Sequence, residues 1–168
     1  MVIHVVRLTS ADVERFREVR LAGLRTDPHG FRYSEAEDAA IDSSAWGARL
    51  DREFVVAALR DGIDEIVGVG GFSQFAGEKL THKGLIWGMY VRPAARGSGA
   101  ADAIRGSLIA HARTQVRLLQ LTIMADNARA RAFYERHGFV VYATEPLAVR
   151  QGDEFRDEAA MWLSLAPR

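Results

Sequence analysis

The chain contains no cysteine among its 168 residues. Disulfide bonds, thiolate metal sites and a cysteine nucleophile are therefore excluded. The five histidines show no i, i+4 pair with an accompanying acidic pattern, so no metal site is expected. Any chemistry must use groups other than thiols.

The sequence also lacks an excess of charge of either sign and a long hydrophobic run. Lys+Arg and Asp+Glu both number 22, and the resulting net charge of zero disfavours sequence-independent binding to nucleic acid. No apolar stretch approaches the roughly 18 residues of a membrane-spanning helix. The first residues, MVIHVVRLTS, do not form a signal-peptide pattern. We expect a cytoplasmic protein that has neither nucleic acid nor a membrane among its partners.

What is present is typical of one globular domain. The composition is 48% hydrophobic and 26% charged, and the length favours a single domain over residues 1–168. The hydrophobic periodicity predicts an α/β (α+β) chain in the order β-α-α-β-β-β-α-β-α-β-β, with helices covering a mixed sheet. Strands are expected at about 2–8, 54–59, 66–72, 80–91, 118–125, 139–149 and 154–165. Helices are expected at about 10–27, 43–50, 100–114 and 128–137, whereas residues 28–42 are interpreted as an irregular loop.

The segment from Gly88 to Ala101 passes from a strand through a glycine-containing loop into a helix. Gly97 and Gly99 allow the backbone to approach a ligand, so that successive N–H groups and the helix dipole can bind a phosphate. A Walker A loop is excluded because Gly-Lys-Ser/Thr is missing, and Asp102 replaces the third glycine of a dinucleotide fingerprint. Alone, the segment could equally be a loop that caps the helix at Ser98.

A second informative segment runs from Asn127 to Phe139, after the next predicted strand. At about 100° per residue, Asn127, Ala130 or Arg131, and Tyr134 lie on one helical face. An amide and a phenol therefore face the same groove.

Together these segments resemble the GNAT superfamily of N-acetyltransferases. The family's pyrophosphate loop, Arg/Gln-x-x-Gly-x-Gly/Ala, is matched by Arg96-Gly-Ser-Gly-Ala-Ala101. Its later motif, Asn-x-x-Ala-x-x-Phe-Tyr-x-x-x-Gly-Phe, is matched from Asn127 to Phe139. The resemblance implies the GNAT fold, a mixed and mostly antiparallel sheet of six to seven strands with about four helices.

The resemblance also implies a coenzyme site. Acetyl-CoA would lie between two central parallel strands that splay apart after a bulge, and no metal would be needed. The implied coenzyme-binding residues are Met89, Tyr90, Val91, Arg96, Gly97, Ser98, Gly99, Ala100, Ala101, Asn127, Ala130 and Tyr134. Arg129, Arg131 and Arg136 either meet the 3′-phosphate or form a solvated helix face, and the second interpretation is favoured.

The catalytic groups follow partly from chemistry. An amine attacks a thioester only when neutral, and the departing thiolate needs a proton. A tyrosine, with a pKa near 10 against about 8.5 for a thiol, can supply that proton, so Tyr134 is the predicted general acid. Leu85 stands where histone-type members have a glutamate. Glu35, Glu37, His82 and a water relay are the alternatives for the base, and Glu35 is chosen because the related loop lies over the acceptor site.

Further side chains have two interpretations each. Phe31, Tyr33 and Trp87 form either an aromatic acceptor pocket or part of the core. The acids Glu35, Glu37 and Asp38 either attract a cationic amine or only increase solubility.

The predicted function is transfer of an acetyl group from acetyl-CoA to a small-molecule amine in a ternary complex. Acetylation of a protein or peptide amine is the nearest alternative, and a non-catalytic acyl-CoA sensor is an alternative of another class. A homodimer is a possible assembly.

Overall fold

The computed structural model describes residues 2–62 and 64–165. Its seven strands are β1 (Ile3–Arg7), β2 (Phe54–Arg60), β3 (Glu65–Gln74), β4 (Lys83–Val91), β5 (Leu118–Met124), β6 (Val140–Gln151) and β7 (Glu154–Ser164). Its α-helices are α1 (Val13–Thr26), α2 (Glu35–Ala40), α3 (Ser43–Arg52), α4 (Ala100–Ala112) and α5 (Ala128–Arg136). Short 3₁₀ turns cover Ser10–Asp12, Pro28–Gly30 and Pro93–Ala95.

The strands form one sheet in the order β1-β2-β3-β4-β5-β7-β6. Every neighbouring pair is antiparallel except β4 and β5, which are parallel. The mixed, mostly antiparallel sheet predicted from the sequence is therefore confirmed.

The predicted irregular loop at residues 28–42 was wrong in its second half, which contains α2. Ser34 and Glu37 form a reciprocal cap: the Ser34 N–H donates to Glu37 Oε2 at 2.8 Å, and the Glu37 N–H donates to Ser34 Oγ at 3.2 Å. This Ser-x-x-Glu pattern satisfies two backbone donors and starts the helix. The protein thus has five α-helices in its described residues instead of about four.

Strand β4 also begins later than expected, at Lys83 instead of Leu80. The Leu80 N–H donates to the Gly77 carbonyl in a turn, so this leucine is not part of the strand.

Two hydrophobic cores cover the two faces of the sheet. One packs α4 and α5 against the strands and includes Ile104, Leu108 and Tyr134. The other packs α1 and α3 and includes Phe16 and Trp46. Because neighbouring residues of a strand point to opposite faces, the central strands contribute side chains to both cores.

The parallel strands β4 and β5 pair over only three positions, from Lys83–Leu118 to Leu85–Gln120. Beyond these pairs the two strands separate. The pairing of β4 with β3 changes register opposite Gly88, whose φ of +63° is in the left-handed region that favours glycine. This bulge and the separation of the strands open the sheet at its centre.

No helix among residues 2–62 and 64–165 is long and apolar enough to cross a membrane.

Candidate active site

A cavity of about 550 Å³ lies where β4 and β5 separate. Strand β4 contributes residues 86–91, and β5 contributes residues 121–123. The remaining walls come from the glycine loop, from α5 and from the connection between α1 and α2. These lining residues are Asp27, Gly30, Phe31, Ala95, Arg96, Gly97, Gly99, Ala101, Asp102, Asn127, Arg129, Ala130, Phe133, Tyr134 and Arg136.

The glycine loop presents free backbone donors at one end of this cavity. Gly97 and Gly99 have φ values of +80° and +87°, and Gly99 is the N-terminal cap of α4. A Cβ atom on either glycine would meet no described atom within 4 Å, so this backbone is open to a ligand. Within the described chain, the N–H groups of Gly97, Gly99, Ala101 and Asp102 have no hydrogen-bond acceptor. Unpaired donors at the start of a helix form a site that favours anions.

Two predicted loop residues do not line the cavity. The Ser98 hydroxyl donates to the Ala95 carbonyl at 2.6 Å, and Ala100 is buried with 1% of its surface exposed. They shape the loop while the neighbouring residues face the opening.

Strand β4 turns one edge of its backbone toward the cavity. The Arg92 N–H donates to the Val67 carbonyl on β3 at 2.8 Å, so by alternation the main-chain groups of Val91 point away from β3. The Val91 carbonyl accepts from Arg96 Nε at 3.3 Å. The Tyr90 side chain turns to α1, where its hydroxyl lies 2.9 Å from Thr26 Oγ1. Met89 completes this wall.

Helix α5 brings an amide and a phenol into the same cavity. Asn127 Oδ1 caps the helix by accepting from the Ala130 N–H at 3.1 Å, which leaves its amide NH₂ as the group free to donate. Tyr134 packs edge-on against Phe133 and Phe139, with ring centroids 5.1 and 5.3 Å apart. The Tyr134 hydroxyl makes no hydrogen bond to the described protein, and burial raises the pKa of this phenol above its ordinary value.

The structure does not bring the predicted bases into this cavity. Glu35 lies on α2, and its Oε1 accepts from Arg25 Nη2 at 2.5 Å. Glu37 caps α2, and its hydrogen bonds to Ser34 lower the pKa of its carboxyl. His82 lies in the exposed turn before β4. Among the described residues, Asp27 and Asp102 are the carboxylates that line the cavity.

Asp38 neither faces the cavity, where it could attract a cationic amine, nor lies at the surface, where it could increase solubility. It is 4% exposed and forms a bidentate ion pair with Arg20, which is 7% exposed. A Cβ on Gly88 would lie 3.1 Å from Arg20 Nη1, so this buried pair lies directly beneath the bulge of β4. Phe31 and Trp87 line the cavity, whereas Tyr33 is exposed outside it.

Sequence reasoning missed one contact across the cavity. Asp27 Oδ2 lies 3.1 Å from Arg129 Nη2 and 3.8 Å from Arg96 Nη2. Asp27 and Arg129 are 102 residues apart, and no spacing signal links them. Arg131 instead pairs with Glu135 on the helix surface.

No group of three or more potential metal-ligating side chains occurs in residues 2–62 and 64–165.

Comparison with known proteins places this chain in one family. The model of the acetyltransferase (GNAT) family matches residues 19–139, so the chain belongs to that family. The cosubstrate of the family is acetyl-CoA. A search of curated proteins gives no significant match.

Solved structures of low sequence identity share the fold. A putative acetyltransferase from Salmonella typhimurium, solved with its cofactor acetyl-CoA, is 20% identical with a TM-score of 0.82, covering 100% of this chain and 96% of that one. Ribosomal-protein-alanine N-acetyltransferase from Brucella melitensis is 22% identical with a TM-score of 0.81, covering 96% and 99%. A phosphinothricin acetyltransferase from Sinorhizobium meliloti in complex with AcCoA is 20% identical with a TM-score of 0.77, covering 98% and 89%.

Proposed function

We propose that residues 1–168 act as one domain that transfers the acetyl group of acetyl-CoA to the primary amine of a small molecule. The transfer is a direct attack in a ternary complex. The observation that carries this proposal is the cavity itself, in which free loop amides and the Tyr134 hydroxyl occur together between separated parallel strands.

The residues fit the coenzyme. The free N–H groups of Gly97, Gly99 and Ala101 match the oxygens of a diphosphate. The opened edge of β4 at Met89 and Val91 suits the amide groups of a pantetheine arm, which needs backbone partners. The free amide of Asn127 suits the same arm from the opposite wall.

Bound acetyl-CoA supplies an acetyl thioester. A β4 backbone N–H donates to the acetyl carbonyl oxygen, where negative charge increases during attack. Tyr134 donates its proton to the sulfur as the thiolate leaves. Its phenol is protonated at neutral pH, since the ordinary pKa of tyrosine is near 10 and burial raises the pKa of Tyr134 further. Ser98 and Ala100, which do not line the cavity, stabilise the conformation of the loop.

The proton of the acceptor amine leaves to water in this proposal. Glu35, the base chosen from the sequence, would have to leave Arg25 before it could accept that proton. Its role stays a hypothesis, which the Glu35→Gln variant tests.

A small acceptor is favoured over a protein because the α1–α2 connection, which contributes to the cavity wall, is held by a second element. The Gln151 amide donates to the Pro28 carbonyl at 2.9 Å, and Gln151 Oε1 lies 2.6 Å from His29 Nδ1. The β6–β7 hairpin therefore holds the α1–α2 connection, whose residues Asp27, Gly30 and Phe31 line the cavity. An extended polypeptide would need this wall to move aside.

Thiol release over a panel of amines tests the proposal. We expect release that depends on both acetyl-CoA and one class of small amine, with acetylated amine formed in equal amount. Acetylation of peptides alone would support the protein-directed alternative. Tight coenzyme binding with only slow hydrolysis for every amine would contradict catalysis and support an acyl-CoA sensor.

A further inference from the structure

Asp27 is one of two carboxylates, with Asp102, that line the cavity among the described residues. Three arginines line the cavity, namely Arg96, Arg129 and Arg136. Asp27 Oδ2 lies between the first two, 3.8 Å from Arg96 Nη2 and 3.1 Å from Arg129 Nη2. The two arginines thus share one oxygen atom of the protein's own carboxylate.

Asp27 lies at the C-terminal end of α1, where a carboxylate needs compensation by positive charge. Asp27 directly follows α1, and its N–H donates to the Gly23 carbonyl in the last turn. The C-terminal end of a helix carries partial negative charge, which disfavours a carboxylate there. Within the described chain, Arg129 and Arg96 are the cations that compensate it.

The same two arginines lie beside the free amides of the glycine loop. Arg96 is the first residue of that loop, and Arg129 lies in the first turn of α5, across the opening. A phosphate bound at the loop would therefore attract the arginines that now contact Asp27. It would also be repelled by the Asp27 carboxylate.

We propose that Asp27 determines the affinity for the coenzyme, because its carboxylate occupies a two-arginine phosphate subsite formed by Arg96 and Arg129. This inference rests on the proposed function. A phosphate group of the coenzyme replaces the carboxylate between the two arginines, and the ion pairs from Asp27 to α5 and to the loop are broken.

The replacement links coenzyme binding to the acceptor side. Asp27 begins the Pro28–Gly30 turn, since the Gly30 N–H donates to the Asp27 carbonyl at 2.9 Å. Phe31 follows and lines the cavity. Release of Asp27 from Arg129 removes the contact between this connection and α5.

Calorimetric titration of CoA into the full chain tests this proposal. Asp27→Asn keeps the shape of the side chain and removes its charge. We expect this variant to bind CoA about two- to fivefold more tightly at low salt, the range that exposed ion pairs cover. The ratio of the variant's CoA affinity to that of the wild type should fall toward one at about 0.5 M salt, because Asp27 and Arg129 are partly exposed and salt screens their charges.

A matched control and a second variant make the test specific. Asp126 pairs with Arg156 at 2.5 Å outside the cavity lining, and Asp126→Asn should leave CoA affinity unchanged. Arg129→Gln should cost more affinity in the Asp27→Asn background than in the wild type, because Asp27 no longer competes for that arginine. Titration with dephospho-CoA, which lacks the 3′-phosphate, identifies which phosphate binds between the arginines. If Asp27→Asn no longer binds more tightly than the wild type, the subsite holds the 3′-phosphate. If it still binds more tightly, the subsite holds the pyrophosphate.

The outcomes separate this inference from the proposed function. If the wild type binds CoA and Asp27→Asn binds it equally or more weakly, Asp27 is only a tether between α1 and α5, and the inference is wrong. If neither protein binds CoA, the proposed function fails together with the inference.

Discussion

Replacing Tyr134 by phenylalanine separates catalysis from folding in this protein. The ring packs against Phe133 and Phe139, and phenylalanine preserves both contacts. The hydroxyl that is removed makes no hydrogen bond to the described protein and faces the cavity. We therefore expect the free energy of unfolding to stay the same or to rise by up to about 1 kcal/mol.

The expected loss is in the chemical step. A positioned general acid contributes about 10²–10⁴-fold to a rate, which corresponds to about 2.7–5.5 kcal/mol of transition-state stabilisation. Burial raises the pKa of Tyr134, which makes it a weaker acid than a free tyrosine. In the proposed reaction the departing thiolate forms in the same cavity, where desolvation also raises a thiol pKa. Because the pKa of the phenol and the pKa of the thiol are raised together, proton transfer stays favourable in the wild type. We therefore expect Tyr134→Phe to slow the chemical step by at least about a hundredfold.

Single-turnover thiol release, with enzyme in excess over acetyl-CoA, measures this step without interference from product release. Calorimetric titration of CoA and thermal unfolding of the same preparation should give wild-type values. Tyr142→Phe is the matched control, because Tyr142 is exposed and its hydroxyl accepts from Gln120 outside the cavity lining. A Tyr134→Phe enzyme that reacts at the wild-type single-turnover rate would refute the assignment of the general acid.

Three other perturbations have definite expected results. Asp38→Asn leaves the buried Arg20 guanidinium without its counter-ion, and urea unfolding should show a loss of about 3–5 kcal/mol. Glu35→Gln removes only an exposed partner of Arg25, so kcat should fall by less than about threefold. The pH profile of kcat/KM should rise as the acceptor amine loses its proton and show no decline below about pH 10, because the raised pKa of Tyr134 keeps the phenol protonated.

Each of these three perturbations has a result that would contradict the expectation. Glu135→Gln removes an exposed partner of Arg131 and should cost only about 0.5 kcal/mol, and an Asp38→Asn loss that is equally small would contradict the buried-pair argument. A drop of a hundredfold in the Glu35→Gln variant would identify Glu35 as the base. A basic limb near pH 9 that disappears in Tyr134→Phe would contradict the raised pKa.

The fold was predictable where the periodicity was strong. The order of strands and the loop-to-helix transition at Gly99 follow from local patterns, and the structure confirms them. The helix at Glu35–Ala40 was missed because Pro28, Gly30 and the following aromatic residues indicated a loop. The Ser34-Glu37 capping pair was the signal that could have identified it.

The charged partners could not be predicted, because they join residues that are distant in the chain. Arg20 and Asp38 look like a surface arginine and a loop acid in the sequence, yet they pair in the buried layer beneath Gly88. The Asp27–Arg129 contact connects α1 to α5 across the opened sheet. Such pairs are determined by which elements the topology brings together, and single-sequence spacing carries no information about that.

Hydrogen–deuterium exchange of the backbone amides, with and without saturating CoA, tests the central claim most directly. We expect CoA to slow exchange at the free amides of Gly97, Gly99 and Ala101 and along the opened edge of β4 at residues 89–91. The exposed turn near Gly77, between β3 and β4, should exchange at the same rate in both states. Unchanged exchange at the glycine loop in the presence of CoA would contradict the claim that these amides bind the coenzyme.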